Sequence, residues 1–437
     1  MIKKIQQDFS YYSHEFKDNY RKGVHRLRTI LASRAQAQAF VSNAGGTAVV
    51  LGYEPSAPDK NAQQLYALLA ASPYIDDAVQ TFLGSIYEAG AESQDAMYSD
   101  SARCLEILHD PVMARAAGAG TVSAGKWIAT LAGQSCNLYR DMNAVAASDI
   151  AMTAVAASET AMEAVISGTI ALNAVAASKT AMTAVAANET AMAAVAASRV
   201  AMSAIIGNST ALNAVVTSSV AMAAIIGNST ALNAVVSSST AMAAVAASYV
   251  AVAAVYGSAT AVEAVKANET ASATLAGATS AVMGKAVAVL AGLNPDSYAD
   301  MAAVASSQTA MAAVINSEAA RTALVSSSDA RKALKASSLA VEMSLVSSDG
   351  QYWNSAGTKT MRGLILYTKA GNTDNAFTIT KVDSTTLASN NNARNAATSG
   401  STGYKDWLEA FPNSSWVLSS ITFYAYYRTT KIKYIPC

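Results

Sequence analysis

The chain has 437 residues, 52% of them hydrophobic, and its 30 basic and 30 acidic residues balance to a formal net charge of zero. This balance excludes a whole-chain electrostatic attraction to nucleic acid or to an anionic membrane. Much of the apolar content is Ala and Val in one continuous tract, and Ala buries little area per residue, so the middle of the chain is not expected to form a thick globular core.

The N-terminal 140 residues differ in composition from the Ala/Val tract. Residues 2–42 place aromatic and aliphatic side chains among Lys and Arg at helical spacing, and further helix patterns cover 61–71, 76–90 and 101–117. The basic run over 21–28 is interpreted as a solvated helix face rather than a nucleic-acid site. No apolar run follows the first basic residues, so no secretory signal is expected. We expect residues 1–140 to form a helical attachment or oligomerisation region.

Thirteen consecutive ten-residue repeats occupy residues 141–270 without insertion or deletion. The fourth position is always Ala, the fifth Val or Ile, the eighth Ser, Asn or Gly, and the tenth is β-branched. After an irregular patch at 293–295 the pattern resumes one residue out of phase and decays to about Ser348. The pattern predicts a repeat shaft over 141–350 with a break near 271–300.

Each repeat has the marks of a short helix. Ala, Met and Leu favour helix, and Ser or Asn at position eight is a good N-cap for the next helix. Gly207 and Gly257 stand before such caps, where a helix would end. One straight helix is excluded, because the apolar stripe would slip by roughly 80° in every ten residues. The alternatives are a break in every repeat, or local overwinding with the β-branched residues in small extended layers between three chains.

Disorder and membrane insertion are both disfavoured for this tract. A strict register of apolar and β-branched residues is not typical of disorder. Polar residues interrupt the tract about every ten positions, so no run of eighteen apolar residues exists and no membrane insertion is expected.

The C-terminal residues 351–437 predict a small β-rich tip domain, with strands over 362–368, 377–382, 416–427 and 431–435. A long polar loop over 383–404 is the kind of segment that carries binding sites. Candidate receptor-binding residues in and beside it are Asn391, Asn392, Tyr404 and Trp407. The two aromatic residues could stack on a sugar ring, and their alternative role is in a core or a trimer interface.

No catalytic constellation is found in the sequence. The histidines lack metal-ligand spacing, no Cys pairs with them, and neither a phosphate-binding loop nor a nucleophile elbow occurs. The three cysteines are too few and too far apart for a disulfide framework and fit assembly in a reducing cytoplasm. We therefore expect a protein that is not an enzyme and that uses no metal or cofactor.

The repeat array, as in residues 208–216, resembles repeats of the tail fibre proteins of tailed bacteriophages, and residues 361–369 are similar to the opening strand of their tip domains. The resemblance covers roughly residues 141–437. It implies a homotrimeric virion fibre, made in the host cytoplasm, that attaches to the tail or baseplate through residues 1–140. It further implies that residues 351–437 bind a glycan or outer-membrane protein on the bacterial surface.

The expected fold is thus a mainly α, elongated repeat shaft of short helices with a small C-terminal β-rich tip. Two other functions stay open. A structural whisker or collar fibre would share the shaft and have an inert tip. A cellular surface adhesin would need an export signal or anchor, which the sequence does not suggest.

Overall fold

A computed structural model describes residues 20–41, 96–109, 114, 117–118, 120–345, 355–359, 361–370, 377–381, 386–390, 404–410, 415–418, 421–425 and 430–437. The chain is mostly helical, with small antiparallel sheets near its C-terminus. It divides into two compact units, Met1–Ala231 and Leu232–Cys437. The helix patterns predicted over 61–71 and 76–90 lie outside the described residues.

The first unit begins with helices that precede the repeats. One long helix was expected over 2–42, and within the described part of that range, 20–41, there are two amphipathic helices. They are followed by a short helix, a helix that matches the start of the 101–117 pattern, and a longer helix that leads into the repeats. They are α1 (Tyr20–Leu31), α2 (Arg34–Val41), α3 (Ala96–Ser99), α4 (Ser101–His109) and α5 (Thr121–Leu131).

The repeats form one short helix each, which confirms the predicted ten-residue period. The helices are α6 (Met142–Ala147), α7 (Asp149–Ala157), α8 (Glu159–Ser167), α9 (Thr169–Ala177), α10 (Lys179–Ala187), α11 (Glu189–Ala197), α12 (Arg199–Ile206), α13 (Ser209–Val216), α14 (Ser219–Gly227), α15 (Ser229–Val236), α16 (Ser239–Ala247), α17 (Tyr249–Tyr256), α18 (Ala259–Lys266) and α19 (Glu269–Ala276).

Each break between consecutive repeat helices contains one extended residue at position eight, and in some breaks a residue in the helical region, such as Gly207, stands before it. Ser148, with φ −98° and ψ 119°, ends α6 through its N–H and begins α7 by accepting a hydrogen bond from the N–H of Ala151 at 3.2 Å. Asn188 does the same at the start of α11. The predicted N-caps are therefore confirmed. Consecutive helices are bent by 92° to 101° at five of these breaks.

The bends wind the repeats into a coil in which three helices make one turn. Within the first unit α7 packs on α10, α10 on α13 and α11 on α14, and within the second unit α16 packs on α19. The packing lies within one chain, and the β-branched residues at position ten, such as Thr180 and Val220, lie inside helices. The alternative in which these residues form extended layers is therefore wrong, and the association of three chains stays a prediction.

The helices bury positions one and five in every repeat from 151 to 271, and in many repeats positions two and six as well. In α7 these are Ala151, Met152, Val155 and Ala156, at positions one, two, five and six. They lie on one helical face, and their apolar area stabilises the coil by removal from water. The Ala at position one is at most 1% exposed in every repeat from 151 to 271. A small residue is needed there, because a larger side chain would hold successive turns apart.

Position eight also joins successive turns of the coil. The hydroxyls of Ser178 and Ser218 donate to the carbonyls of Ala146 and Ala186, each 32 residues earlier, and the amide of Asn268 donates to Val236 O at 3.3 Å. These carbonyls lie in the last turn of a helix, where they have no partner within it. One side chain thus satisfies an N–H of its own helix and a C=O of the turn before.

The helices α4 and α5 cover the beginning of the coil. Trp127 is fully buried and its indole N–H donates to Cys104 O at 3.0 Å, while the Thr130 hydroxyl donates to Tyr98 O at 2.6 Å. Repeat arrays need such end structures, because the first turn would otherwise expose its apolar face.

The second unit interrupts the repeats where the sequence predicted a break. Here lie α20 (Ser280–Leu290), a 3-10 turn over Pro295–Ser297, α21 (Met301–Ala305), α22 (Gln308–Val314), α23 (Glu318–Ser326) and α24 (Ser328–Lys335). Thr279 caps α20 by accepting from Val282 N, and beyond the interruption the caps stand at position seven, one residue earlier than in the first array. The new phase persists through Ser307, Ser317 and Ser327.

This interruption repeats the entrance to the first array. Residues 121–152 and 280–311 align without a gap, sharing Gly-Lys, Leu-Ala-Gly and an Asp-Met pair at equivalent positions. In each copy an 11-residue helix ends at a glycine with φ 72°, Gly133 or Gly292, and an Asp then caps the next helix. We call these two segments the joints. Gly207 and Gly257, in contrast, have φ of −76° and −72°, so helix termination there does not use the conformation that favours glycine.

The C-terminal domain contains two antiparallel sheets. The first has the order β1-β9-β3-β6, with β7 also paired to β3, and the second has the order β2-β8-β4-β5. The strands are β1 (Val341–Leu345), β2 (Ser355–Lys359), β3 (Gly363–Ala370), β4 (Phe377–Lys381), β5 (Thr386–Asn390), β6 (Tyr404–Asp406), β7 (Trp416–Val417), β8 (Ile421–Ala425) and β9 (Thr430–Pro436), with helix α25 (Trp407–Ala410) after β6.

All four predicted strands correspond to observed strands, but the boundary between the shaft and the tip domain differs from the predicted one. β1 lies within the predicted shaft, which was expected to reach residue 350, yet it pairs with β9 through Val341–Tyr434 to Leu345–Thr430. The predicted strand over 416–427 is split into β7 and β8. β5 lies in the segment predicted as a polar loop, because alternating Thr, Ala and Asn residues carry no strong strand pattern.

Candidate functional site

Helix α25 lies where the C-terminal domain meets the last repeats of its own unit. The ammonium of Lys335, at the end of α24, contacts the Asp406 carboxylate and lies 3.2 Å from Glu409 Oε1. Two further bonds join the same parts: Arg362 Nη2 donates to Asn316 Oδ1 at 2.6 Å, and Gln308 Nε2 donates to Pro436 O at 3.1 Å. The C-terminal domain is therefore fixed on the second array by several separate contacts.

The Lys335 cluster has a defined charge state. Burial acts to lower the pKa of Lys335, but hydrogen bonds to Asp406 and Glu409 outweigh it, and the pKa is raised above its ordinary value of 10.5. Lys335 thus stays charged at neutral pH and holds two carboxylates of the tip domain beside the array.

Trp407, predicted as a receptor-binding residue, is a core residue. Its ring is 0% exposed, and its indole N–H donates to Thr368 Oγ1 at 3.0 Å. The backbone carbonyl of Trp407 also accepts from Ser415 Oγ at 2.8 Å. A fully buried ring cannot stack on a ligand, so the binding role is wrong for Trp407 and its alternative, a place in the core, is the one observed.

The other predicted site residues are not brought together with Trp407 at a described surface. Tyr404 begins β6, where its backbone pairs with Lys369 of β3. Asn391 and Asn392 follow the end of β5 and lie outside the described residues. Their role in binding stays a prediction.

A pocket of about 430 Å³ opens next to α25 within the second unit. Three segments line it: the last helices of the first array, the helices α23 and α24, and α25 itself. Sequence reasoning missed this site, because its residues are up to 153 positions apart, from Tyr256 to Glu409, and none stands in a recognisable motif.

Two groups in the pocket are held in place by hydrogen bonds. Arg331 donates through Nη1 to Val325 O at 2.9 Å and to Ser326 O at 3.4 Å. The Ser326 hydroxyl donates to Thr322 O at 2.7 Å, and burial raises the pKa of Tyr256 above its ordinary value of 10.0. The pocket therefore presents a neutral phenol and a guanidinium.

The described residues offer little reactive chemistry. No group of three or more His, Cys, Asp or Glu side chains that could hold a metal ion occurs among them. Burial raises the pKa of Cys104 and of Cys437 to about 12, so neither thiol is ionised at neutral pH.

Helices long and apolar enough to cross a membrane singly do not occur in the described ranges; six bent pairs reach that length and composition only when two helices are counted together. Neither the comparison with protein-family models nor the search of curated proteins finds a match to this chain.

Proposed function

We propose that this chain is a tail fibre protein of a tailed bacteriophage and that its C-terminal domain binds a receptor on the bacterial surface. One observation supports the proposal above the others: a small β domain is fixed by ion pairs and hydrogen bonds on the end of a repeat array. An array that ends in a rigidly held domain suits a protein that presents a recognition surface to a partner.

The proposal includes the remaining expectations from the sequence. The fibre is a homotrimer of the virion, assembled in the host cytoplasm, and residues 1–140 attach it to the tail or baseplate. It acts by binding and not by catalysis. The receptor is a glycan or an outer-membrane protein, bound by residues 351–437.

Cell binding by the full-length protein tests this function. Fluorescently labelled protein is mixed with a panel of bacterial strains, and saturable binding to a subset of strains is expected. A chain that ends at Lys335 lacks the C-terminal domain and serves as the comparison, provided that circular dichroism shows intact helices. Binding to no strain, or equal binding by the shortened chain, would contradict the proposal and favour a whisker or collar fibre.

A further inference from the structure

The pocket beside α25 has the size of a ligand site. Its volume of about 430 Å³ lies within the range of small-molecule sites in proteins. Val265, Leu275 and Leu408 supply apolar wall, and hydroxyl groups of Tyr256 and Ser326 stand among them. A sugar ring has the matching chemistry, because its hydroxyls both donate and accept hydrogen bonds while its C–H faces are apolar.

The charge of the pocket favours a ligand with an anionic group. Arg331 and Lys266 line it together with one carboxylate, Glu409, which already lies 3.2 Å from the Lys335 ammonium. Lys266 is paired with Glu263 at 2.9 Å, but both of these side chains are largely exposed, so the pair is easily opened. The positive group without a carboxylate partner among the described residues is therefore Arg331.

Arg331 is also oriented for a ligand. Its Nη1 atom is bound to two backbone carbonyls at the end of α23, which fixes the plane of the guanidinium. Within the described ranges, Nε and Nη2 make no hydrogen bond and remain for a second partner. A planar guanidinium matches the two oxygens of a carboxylate.

We propose that this pocket binds one acidic sugar residue, with its carboxylate on Arg331 and its hydroxyls on Tyr256 and Ser326. The inference rests on the proposed function and deepens it, since it makes an acidic glycan of the bacterial surface the receptor. It also extends receptor contact beyond residues 351–437, because Arg331, Tyr256 and Ser326 belong to the repeat helices while Leu408 and Glu409 complete the pocket.

Titration of the full-length protein with sodium glucuronate, followed by ligand-observed NMR, tests the assignment. Saturable binding is expected. Glucose lacks the carboxylate and sodium acetate lacks the sugar hydroxyls, so the affinity of each should be at least about tenfold lower than that of glucuronate. Arg331→Gln should weaken glucuronate binding by about tenfold or more, which is the usual effect of losing hydrogen bonds to a charged group.

Arg321 provides a matched control. Its Nη1 donates to Ile315 O six residues earlier, as Arg331 does to Val325 O, yet Arg321 does not line the pocket. Arg321→Gln should therefore cost similar stability and leave glucuronate binding unchanged. Should Arg331→Gln fail to fold, Lys266→Gln replaces it, with about two- to fivefold weaker binding expected from an exposed charge.

Three results would overturn the inference: no saturable glucuronate binding, equal binding of acetate, or an equal loss in Arg321→Gln. Cell binding is measured in parallel with the same proteins. A protein that binds cells without binding glucuronate overturns this inference and leaves the proposed function standing. One that binds glucuronate but no strain overturns the proposed function, and the receptor role of the pocket with it.

Discussion

At the scale of single residues, the side chain at position eight explains why a helix of this composition stops every ten residues. Its oxygen accepts from the N–H three residues later, as Ser218 does from Ala221 at 3.2 Å, and this bond competes with continuation of the preceding helix. Gly168 is the exception: it makes no side-chain cap, and a Cβ there would lie 3.0 Å from the Cα of Gly118. Close backbone contact takes the place of the cap at that point.

Loss of the position-eight hydroxyl should be costly. Ser218→Ala removes the cap to Ala221 and leaves the carbonyl of Ala186 without its donor. We expect the free energy of unfolding to fall by about 2 kcal/mol, measured by urea denaturation with circular dichroism.

The matched comparisons for this variant are Ser219→Ala and Ser218→Asn. Ser219 is exposed in the first turn of α14, so its replacement should change little. The Ser218→Asn variant should keep most of the stability, since Asn268 makes both bonds in its own repeat. Equal losses in Ser218→Ala and Ser219→Ala would contradict the dual role.

Asp141, the cap of the first joint, predicts an acid-sensitive contribution to stability. The hydrogen bond from Ala144 N–H lowers the pKa of Asp141 below its ordinary value of 3.8, with the Arg140 guanidinium helping. Because the folded pKa is the lower one, the stabilisation is present above pH 3.8 and is lost as the pH falls through the folded value.

Asp141→Asn keeps an N-cap but cannot titrate. The difference in unfolding free energy between the natural protein and this variant should be largest near neutral pH and shrink below about pH 3.8. Thermal unfolding from acid to neutral pH measures it, and a difference that is constant over this range would contradict the assignment.

Position eight also shows what sequence can and cannot predict at this scale. Its cap is local, so the residue type and the spacing are enough to predict it. Its second bond reaches 32 residues back, from Ser178 to Ala146, and depends on the number of helices in each turn of the coil, which no local pattern contains. Trp407 was misassigned for a related reason, because an amphipathic ring has the same sequence signature in a core as at a surface.

At the scale of elements, the two joints share the same backbone arrangement. In each, a glycine lets the 11-residue helix approach the backbone before the next cap: a Cβ on Gly125 would lie 2.5 Å from Asp141, and one on Gly284 would lie 2.3 Å from Asp300. The chain thereby starts an array in the same way in both units. The two copies differ at one notable position, where the first joint has Trp127 and the second has Ala286. The indole of Trp127 donates to the Cys104 carbonyl of α4.

Gly284→Ala should disrupt the second joint. The added methyl group overlaps the Asp300 carbonyl, so α20 must shift, and we expect a loss of about 2 kcal/mol or more in unfolding free energy. Gly227→Ala is the control, because nothing lies within 4 Å of its Cβ position, and it should be neutral or stabilise the protein by roughly 0.5 kcal/mol. Urea denaturation compares the two, and equal effects would contradict the close approach.

The strands of the tip domain were only partly predictable. β3 and β9 stand out through aliphatic residues such as Ile365 and Ile432, both fully buried. β1 was missed because Val341–Leu345 follows the repeats without a turn signal and gains its place by pairing with the last strand of the chain. Such long-range pairing is set by the fold as a whole rather than by local propensity.

At the scale of the whole molecule, the repeat helices of one chain pack on one another within each of the two units. The predicted trimer then is not needed to bury the apolar faces of the repeats, and stays a prediction about how chains associate. Apolar residues that remain exposed in the described part, such as Ile150 at 73% and Val200 at 63%, lie at position ten, on the outer side of the coil.

The central claim is that each chain builds its own array and carries its own tip domain on it. Separately prepared light and heavy-isotope chains are unfolded, mixed, refolded and treated with a carbodiimide, which joins contacting amines and carboxylates. We expect cross-links of Lys335 to Asp406 and Glu409 whose two peptides always carry the same isotope, as read by mass spectrometry. Peptide pairs that join light Lys335 to heavy Glu409 would show that the tip rests on another chain and would contradict the claim.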